Sequence, residues 1–342
     1  MSNITIYDIA KKTGFSPSTI SKAINNYKGV NEKTKKIILD TMEDMHFTPN
    51  HVAQSLAKQN SRLLGVAYIE DNDTLSHPHF MDILQSFKTE VEKFGYDILL
   101  LNKNFEQSEN NFYKHCLYRR VDGILLAIPD QFVSSVSEIL TGSIPAVSVE
   151  SIYKNIPTIL SDNYNGTIKI LEYLYSLGHR KIAYLSAPLT SQAGRERYQA
   201  YSDFVKDKKL PVTDKNIVYV SAYNVESAVI ATEELLRNCS YSLPTAIATA
   251  YDEFAYATLE TLTKRGYYVP EDISVTGFDN IIISRCSNPK ITTMEQNRKQ
   301  IGKLAAELLL DKINKKEQDT AYTIHRIPTK LITRNSTIRR NS

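Results

Sequence analysis

A short series of small and polar side chains between residues 16 and 25 has the chemistry to bind nucleic acid. Apolar residues recur there at the i, i+3, i+4 spacing of a buried helical stripe, namely Ile20, Ala23 and Ile24. The residues left on the outer face are Pro17, Ser18, Ser21, Lys22 and Asn25. Hydroxyl and amide groups bind phosphates or base edges, and a lysine donates to guanine or to phosphate. Because the outward side chains are small, the helix can enter the DNA major groove, with Pro17 and Ser18 nearest the bases.

Two capped helices separated by a tight turn are predicted to hold this series. Thr5 with Asp8 forms a capping-box-like start for the first helix, and Gly14 ends it. Ser16 caps the second helix, and Pro17 takes its first position. A third helix is predicted from about Asn31 to Met45, and its inward residues are Ile38, Met42 and Met45. This helix-turn-helix pattern predicts DNA binding, with a plain three-helix bundle as the alternative.

The distribution of charge agrees with a DNA-binding N-terminal segment. The chain has 342 residues and a net charge of +3. Residues 1–60 contain eight lysines, five acidic residues and no arginine, so the rest of the chain is neutral. The whole excess of positive charge therefore lies where it can meet phosphate.

Composition and motif content argue against several other classes of protein. Cys116, Cys239 and Cys286 are far apart and form no CxxC pair, so neither a disulfide framework nor a structural zinc site is expected. No apolar run reaches the length of a membrane span and no signal-peptide core is present, so we expect a cytoplasmic protein. The motifs GxGxxG, GxxxxGK[ST], HExxH and GxSxG are absent, and His115 and Cys116 are helical neighbours whose side chains point apart. We expect no enzyme, no cofactor and no metal site.

From residue 63 onward, short β-rich runs alternate with amphipathic helical stretches. Strands are predicted at 63–69, 97–101, 123–128, 146–149, 181–186, 217–220, 246–249 and 274–277, with two more at 322–327 and 330–333. Helices are predicted among them, for example at 80–94, 166–177, 227–236 and 298–313. This alternation predicts parallel sheets covered by helices, and two units, at about 62–160 and 161–290, predict two similar lobes.

Residues 4–57 resemble the DNA-binding headpiece of the lactose/galactose repressor (LacI/GalR) family. The strings that carry the resemblance are ThrIleTyrAspIleAla (5–10), GlyPheSer (14–16), SerThrIleSerLysAlaIleAsn (18–25) and AsnHisValAlaGlnSerLeuAla (50–57). In that family the last string is a hinge helix formed on the operator, and its leucine, matched by Leu56, wedges into a central base step from the minor groove. This sequence departs from the family at Lys22, where arginine is usual and offers a planar fork that lysine lacks.

The resemblance also implies DNA contacts and a domain organisation. The candidate DNA-contacting residues are Thr5, Tyr7, Ser16, Pro17, Ser18, Thr19, Ser21, Lys22, Asn25, Asn50, Ala53 and Leu56. We expect an all-α helix-turn-helix domain at 1–49, a hinge helix and linker at 50–61, and an effector-binding and dimerisation domain at 62–334. Within the last, the first lobe is expected at about 62–160 and 291–321, and the second at about 161–290 and 322–334.

The resemblance continues to about residue 334, through strings such as ValAspGlyIleLeuLeu (121–126) and LeuGlyHisArgLysIleAla (177–183). It implies an α/β sensor of two lobes, similar to type I periplasmic binding proteins, with an effector held in the cleft between them. Matching strings give the effector-binding candidates His79, Phe80, Glu150, Arg197, Tyr223, Tyr251, Asp279 and Gln296. Carboxylate, guanidinium, amide and aromatic groups together suit a polyol. Tyr251 stands where the family often has asparagine, which leaves open a ligand other than a small monosaccharide.

Taken as a whole, the resemblance implies a homodimeric repressor of a carbohydrate-utilisation operon. Its partners would be a pseudo-palindromic operator and an effector that is a sugar or a sugar phosphate. One alternative is a global regulator of the same family that uses a phosphoprotein as corepressor. A second is a free-standing sugar-binding or transport protein, which predicts a signal peptide and no headpiece.

Overall fold

The computed structural model of the chain describes residues 4–25, 27–47, 60–68, 77–101, 112–128, 132, 134, 136–314 and 323–340. The chain divides into two compact units, residues 1–61 and residues 62–342. None of the helices in the described ranges combines the length and the apolar content that a membrane crossing needs.

The described part of the N-terminal unit contains the three predicted helices. They are α1 (Ile6–Thr13), α2 (Pro17–Ile24) and α3 (Glu32–Asp44). One small core joins them, formed by the buried side chains of Ile9, Ile20, Ala23, Ile38 and Met42. The apolar stripe predicted for α2 therefore faces the neighbouring helices, and its polar residues face outward.

The first lobe of the larger unit is built on a six-stranded sheet with the order β11-β5-β4-β3-β1-β2. Its strands, all paired in parallel, are β1 (Leu63–Tyr68), β2 (Asp97–Leu100), β3 (Gly123–Ala127), β4 (Ala146–Val149), β5 (Thr158–Ser161) and β11 (Ile324–Ile327). The helices of this lobe are α4 (Pro78–Glu92), α5 (Phe112–Arg119), α6 (Ser137–Thr141) and α12 (Arg298–Asn314). α4 and α12 pack so closely that a Cβ at Gly302 would collide with the carbonyl oxygen of Ile83.

The second lobe repeats the plan with the order β12-β10-β9-β8-β6-β7. Its strands are β6 (Ile182–Ser186), β7 (Ile217–Tyr219), β8 (Ala246–Thr249), β9 (Ser274–Asp279), β10 (Thr292–Glu295) and β12 (Lys330–Ile332), of which only β12 is antiparallel to its neighbour. Its helices are α7 (Asn163–Ser176), α8 (Gln192–Asp207), α9 (Val225–Asn238), α10 (Asp252–Lys264) and α11 (Ile282–Cys286). The expectation of two lobes with mainly parallel sheets is confirmed.

The predicted lobe boundaries near the C-terminus are wrong in two places. β10 lies in the range expected for the first lobe, but it pairs with β9 in the second sheet. β11 lies in the range expected for the second lobe, but it pairs with β5 at the edge of the first sheet. The chain therefore crosses between lobes after β5, after β10, and between β11 and β12. The four residues of β10 and the four of β11 do not reveal which sheet each strand will join, and β5 and β10 were themselves not predicted as strands.

Candidate functional site

Side-chain hydrogen bonds fix the ends of the two helices that carry the predicted DNA-binding face. The N–H of Thr5 donates to Asp8 Oδ2 at 2.8 Å, which completes a capping box at the start of α1. Gly14 ends α1 at φ 74°, a left-handed conformation that glycine adopts without steric cost. At the start of α2, Ser16 Oγ accepts the N–H of Thr19 at 3.1 Å. The turn and the direction of α2 are thus set locally by the sequence.

The outer face of α1 and α2 carries the DNA-contacting candidates that the structure describes. Thr5, Tyr7, Ser16, Ser18 and Lys22 are exposed, while Pro17, Thr19, Ser21 and Asn25 are half-buried. Three of these residues already serve their own helices, because Thr5 and Ser16 are caps and Asn25 Nδ2 donates to the carbonyl oxygen of Ser21 at 2.9 Å. Asn50, Ala53 and Leu56 lie outside the described residues. The exposed polar surface of this face is therefore formed mainly by Tyr7, Ser18 and Lys22.

A cavity of about 190 Å³ lies between the two lobes, at the carboxyl ends of their strands. It brings together all eight effector-binding candidates: His79, Phe80, Glu150, Arg197, Tyr223, Tyr251, Asp279 and Gln296. Glu150, Asp279 and Gln296 lie at the ends of β4, β9 and β10 or directly after them. Tyr223 and Tyr251 lie in the loops that follow β7 and β8, His79 and Phe80 in the first turn of α4, and Arg197 on α8. The carboxyl ends of parallel strands are the usual position of a ligand in α/β proteins, because the loops there converge.

Arg197 is the centre of the second-lobe wall of the cavity and is only 2% exposed. Its Nε donates to Asn163 Oδ1 at 2.9 Å, and its Nη1 donates to the carbonyl oxygen of Ala250 at 2.5 Å. Its Nη2 lies 3.5 Å from Asp279 Oδ1. The guanidinium carbon also lies 3.7 Å from the centre of the Phe278 ring, a cation–π contact. These contacts lock the orientation of Arg197 without any ligand.

Asp279 ends β9 and is fully buried beside Arg197. Burial raises the pKa of its carboxyl, and the charge of Arg197 opposes that rise. Gln296 Nε2 donates to Asp279 Oδ1. Asp279 Oδ2 and Gln296 Oε1 are buried and lack hydrogen-bond partners in the described structure. The backbone of Asp279 has φ 121°, a strained value for a residue with a Cβ, and such strain is concentrated at functional sites.

Glu150 supplies the carboxylate of the first-lobe wall. It follows β4 with φ 59°, so its backbone is also strained. Its Oε1 accepts the N–H of Ser161 at 3.2 Å and lies 3.4 Å from His79 Nε2. Burial opposes ionisation of Glu150, but the hydrogen bond with His79 and the nearby charge of Arg197 hold its pKa below the usual value. Glu150 therefore carries a negative charge into the cavity at neutral pH.

Three tyrosine and phenylalanine rings form an aromatic corner of the second-lobe wall. The Tyr251 ring lies under the Arg197 guanidinium, with 4.6 Å from its centre to the guanidinium carbon. Tyr223 and Phe254 each meet Tyr251 edge to face, at 5.6 and 5.4 Å between ring centres. At position 251, where the family often has asparagine, the structure therefore has a tyrosine ring packed edge to face against two other rings.

His77 and Glu253 form an ion-pair-like contact between the lobes at the edge of the cavity. His77 belongs to the first lobe and Glu253 to α10 of the second, and His77 Nε2 lies 3.2 Å from Glu253 Oε1. His77 also caps α4, because its Nδ1 accepts the N–H of His79 at 3.2 Å. In the neutral ring, Nε2 therefore carries the proton and donates it to Glu253.

His77, Glu253 and Asp279 offer ligand atoms within 4.8 Å of one another and are the group in the described part of the chain that could hold a metal ion. The cap argues against that use. A metal-bound histidine donates its second ring N–H to an acceptor, whereas His77 Nδ1 accepts an N–H. We therefore interpret His77 and Glu253 as a hydrogen-bonded pair that connects the two lobes.

Each of the two units matches the profile of a known protein family. Residues 5–50 match the profile of bacterial regulatory proteins of the lacI family, and residues 171–337 match that of a periplasmic binding protein-like domain. Along its whole length, the chain is 30% identical to catabolite control protein A of Priestia megaterium over 339 residues, which cover 98% of this chain and 99% of the relative. The chain belongs to the LacI family.

Other relatives and structures support the same LacI-family assignment. The chain is 28% identical over 317 residues to the HTH-type transcriptional repressor PurR of Mannheimia succiniciproducens, covering 92% of this chain and 93% of the relative. It superimposes with a TM-score of 0.84 on the Lac repressor dimer bound to operator and an anti-inducer, at 26% identity and over 98% and 100% of the two chains. The fold predicted from the sequence is confirmed, and these relatives are transcriptional regulators, not enzymes.

Several residues that shape the cavity of this LacI-family chain were not identified from its sequence. Asn163 orients Arg197, Ser161 holds Glu150, and His77 pairs with Glu253. His77 had a signal, because it shares the string HisProHisPhe (77–80) with two predicted residues. No sequence pattern pointed to Asn163 or Glu253, because each contacts a residue that is distant in sequence. The remaining lining residues are Ile83, Ala127, Ile128, Val149, Ser151, Ser191 and Ala193.

Proposed function

We propose that the chain is a transcriptional repressor whose affinity for operator DNA is set by a small sugar-like effector bound between its lobes. The observation that carries the effector proposal is the convergence of carboxylates, a guanidinium, an amide and aromatic rings on one cavity of about 190 Å³. Rings cover the apolar faces of a sugar, and carboxylates accept hydrogen bonds from its hydroxyls. A carbohydrate-utilisation operon is the corresponding regulatory target.

The DNA side of the proposal rests on the small, capped helix α2 and its exposed polar face. Ser18 and Lys22 lie on that face, in a unit that carries the excess positive charge of the chain. α2 would enter the major groove, with Leu56 as a minor-groove wedge, and a homodimer would read two related half-sites. Lys22 then donates to guanine or phosphate as a single cation.

The two activities are coupled in this proposal through the angle between the lobes. A ligand that touches both walls of the cavity favours one relative orientation of the lobes. The first strand of the sensor, β1, belongs to the first lobe and follows the hinge segment in the chain. A rotation of the lobes would therefore move the end of the hinge segment. Effector binding would unfold the hinge segments and lower operator affinity.

A ligand screen with the full-length protein tests the effector. Sugars are added one at a time and thermal unfolding is followed, because a ligand of the native state raises the midpoint by mass action. We expect a sugar to raise it in the wild type and not in Asp279→Asn. If no sugar does so, the effector proposal fails, and a corepressor protein becomes the alternative regulator.

Operator binding is tested on a duplex selected from a random pool by the full-length protein. Lys22→Gln should weaken binding and reduce the slope of log affinity against log salt by about 1 if Lys22 neutralises one phosphate. Lys264→Gln, at the end of α10 in the sensor, is the matched control and should leave the slope unchanged. An unchanged slope and affinity in Lys22→Gln would contradict the assigned role.

A further inference from the structure

The cavity has buried hydrogen-bond acceptors that need a donor. Asp279 Oδ2 and Gln296 Oε1 have no hydrogen-bond partner in the described structure and are out of contact with solvent. Gln296 Nε2 donates to Asp279, whereas Gln296 Oε1 can still accept a hydrogen bond from a ligand. A buried acceptor without a partner is costly, and a ligand that brings O–H or N–H groups removes that cost.

The cation of the cavity lining is already paired within the protein. Each nitrogen atom of Arg197 contacts a protein oxygen, on Asn163, Ala250 and Asp279, which leaves at most one N–H on each of Nη1 and Nη2 for a ligand. Among the described residues that line the cavity, Arg197 is the single lysine or arginine. A phosphate group would therefore meet a guanidinium whose charge is already shared with the buried carboxylate of Asp279, whereas phosphate recognition relies on available arginine or lysine donors.

The remaining fixed charges of the lining are negative. Asp279 balances Arg197, and Glu150 is left as a carboxylate whose strained backbone, φ 59°, directs it from the end of β4. His79 Nε2 lies 3.4 Å from Glu150 Oε1, and the charge of Arg197, which Asp279 already balances, also acts on Glu150. An incoming phosphate would face the carboxylate of Glu150 in a desolvated space, where like charges repel strongly.

On the basis of the proposed function, we infer that the cavity binds an unphosphorylated polyol and rejects the phosphate ester of the same sugar. The specificity-determining residues are Glu150, Asp279 and Gln296: all three accept hydrogen bonds, and the carboxylate of Glu150 also repels anions. Arg197 is a positioning residue that holds Asp279, and it is not an anion receptor. The sequence left open whether the effector is a sugar or a sugar phosphate. The residues that line the cavity favour the unphosphorylated sugar.

The test measures the binding of matched pairs to the full-length protein by titration calorimetry. Each pair is a hexose or pentose with its own phosphate ester, and inorganic phosphate is a further probe. We expect at least one sugar to bind, its ester to bind at least about tenfold more weakly, and inorganic phosphate not to compete. An ester that binds as tightly as its parent sugar, or more tightly, overturns the inference and leaves the proposed effector function intact. If neither member of any pair binds, the inference and the proposed function both fail.

A charge-neutralising variant tests the cause of the discrimination. Glu150→Gln keeps the size of the side chain and removes its charge, so the ratio of sugar affinity to ester affinity should fall. Glu172→Gln, an exposed acid on α7, is the matched control and should keep the wild-type ratio. An unchanged ratio in a folded Glu150→Gln variant would contradict the electrostatic cause. The wild-type pairs decide the inference even if this variant does not fold.

Discussion

The two walls of the cavity are built differently. On the second-lobe wall, Arg197 joins Asn163, Ala250 and Asp279 in one buried network that leaves Asp279 Oδ2 without a partner. On the first-lobe wall, Phe80 belongs to the apolar core of its lobe, and Glu150 meets His79 at 3.4 Å. The difference indicates that the polar groups of the second-lobe wall are preorganised. In the proposed function, that wall would orient a ligand and the first-lobe wall would cover it.

The largest effect should come from breaking the second-lobe network. Arg197→Ala leaves Asp279 buried without its cation, so the free energy of unfolding should fall by about 3–5 kcal/mol. The matched control is Arg265→Ala, because Arg265 also binds a carboxylate, Glu233, but does so at the surface, and the expected loss there is below about 1 kcal/mol. Chemical denaturation of both variants measures the two losses. Equal losses would contradict the claim that the Arg197 network is a preorganised part of the fold.

A smaller change on the first-lobe wall should act mainly on the ligand. Phe80→Leu keeps an apolar side chain at a position that is 7% exposed, so we expect a loss of stability below about 1.5 kcal/mol. The loss of a ring face should weaken binding of the stabilising sugar about tenfold. Calorimetric titration and thermal unfolding measure the two quantities on the same sample. Phe94→Leu, at a residue that is 59% exposed after α4, should change neither. Full retention of sugar affinity in Phe80→Leu would remove the first-lobe wall from the binding site.

The smallest effect concerns the contact between the walls, His77 with Glu253. Burial opposes protonation of His77, but the hydrogen bond that His77 donates to Glu253 and the charge of Asp279 raise its pKa above the usual value, against the charge of Arg197. A raised histidine pKa gives stability that is present below the unfolded value of about 6.5 and is lost as the pH rises through the folded value. Protonation also removes the α4 cap at Nδ1, which limits the gain.

The measurement for His77 is the stability difference between wild type and His77→Gln at about pH 6 and about pH 8. The difference should be larger at the lower pH, and by less than about 1 kcal/mol. Comparison of the two proteins cancels other titrations, such as that of His179, whose pKa burial lowers to about 4. His325→Gln on β11 is the control histidine. A difference that does not change with pH would show that the contact is not sensitive to protonation.

The parts of the fold that local chemistry determines could be predicted from the sequence. The caps at Thr5 and Ser16, the turn at Gly14 and the stripe of α2 depend on neighbouring residues, and the structure has them all. Most strands were identifiable as short apolar runs between turns. β5 and β10 were missed, and β10 and β11 were assigned to the wrong lobes, because sheet partners are chosen by tertiary packing.

For the cavity, the identity of the lining residues could be predicted from the sequence, but their contacts could not. Its eight candidates came from resemblance to a family, and the structure places all of them around one space. The state of each residue within it could not be predicted. Each nitrogen atom of Arg197 already contacts a protein oxygen, and Asp279 Oδ2 has no partner. Both facts depend on contacts between distant residues, such as that of Arg197 with Asn163. Those contacts decide the chemistry of the site, and they join residues that are far apart in the chain.

The most direct test of the account is the reciprocity of sugar and operator binding. The affinity of the full-length protein for its selected operator is measured by fluorescence anisotropy with and without a saturating unphosphorylated sugar. The affinity of the sugar is then measured with and without operator. We predict that the sugar lowers operator affinity about 5–150-fold, and that the operator lowers sugar affinity by the same factor. Asp279→Asn should abolish both changes. An operator affinity that stays the same at saturating sugar would contradict the proposed coupling between the cavity and the DNA-binding unit.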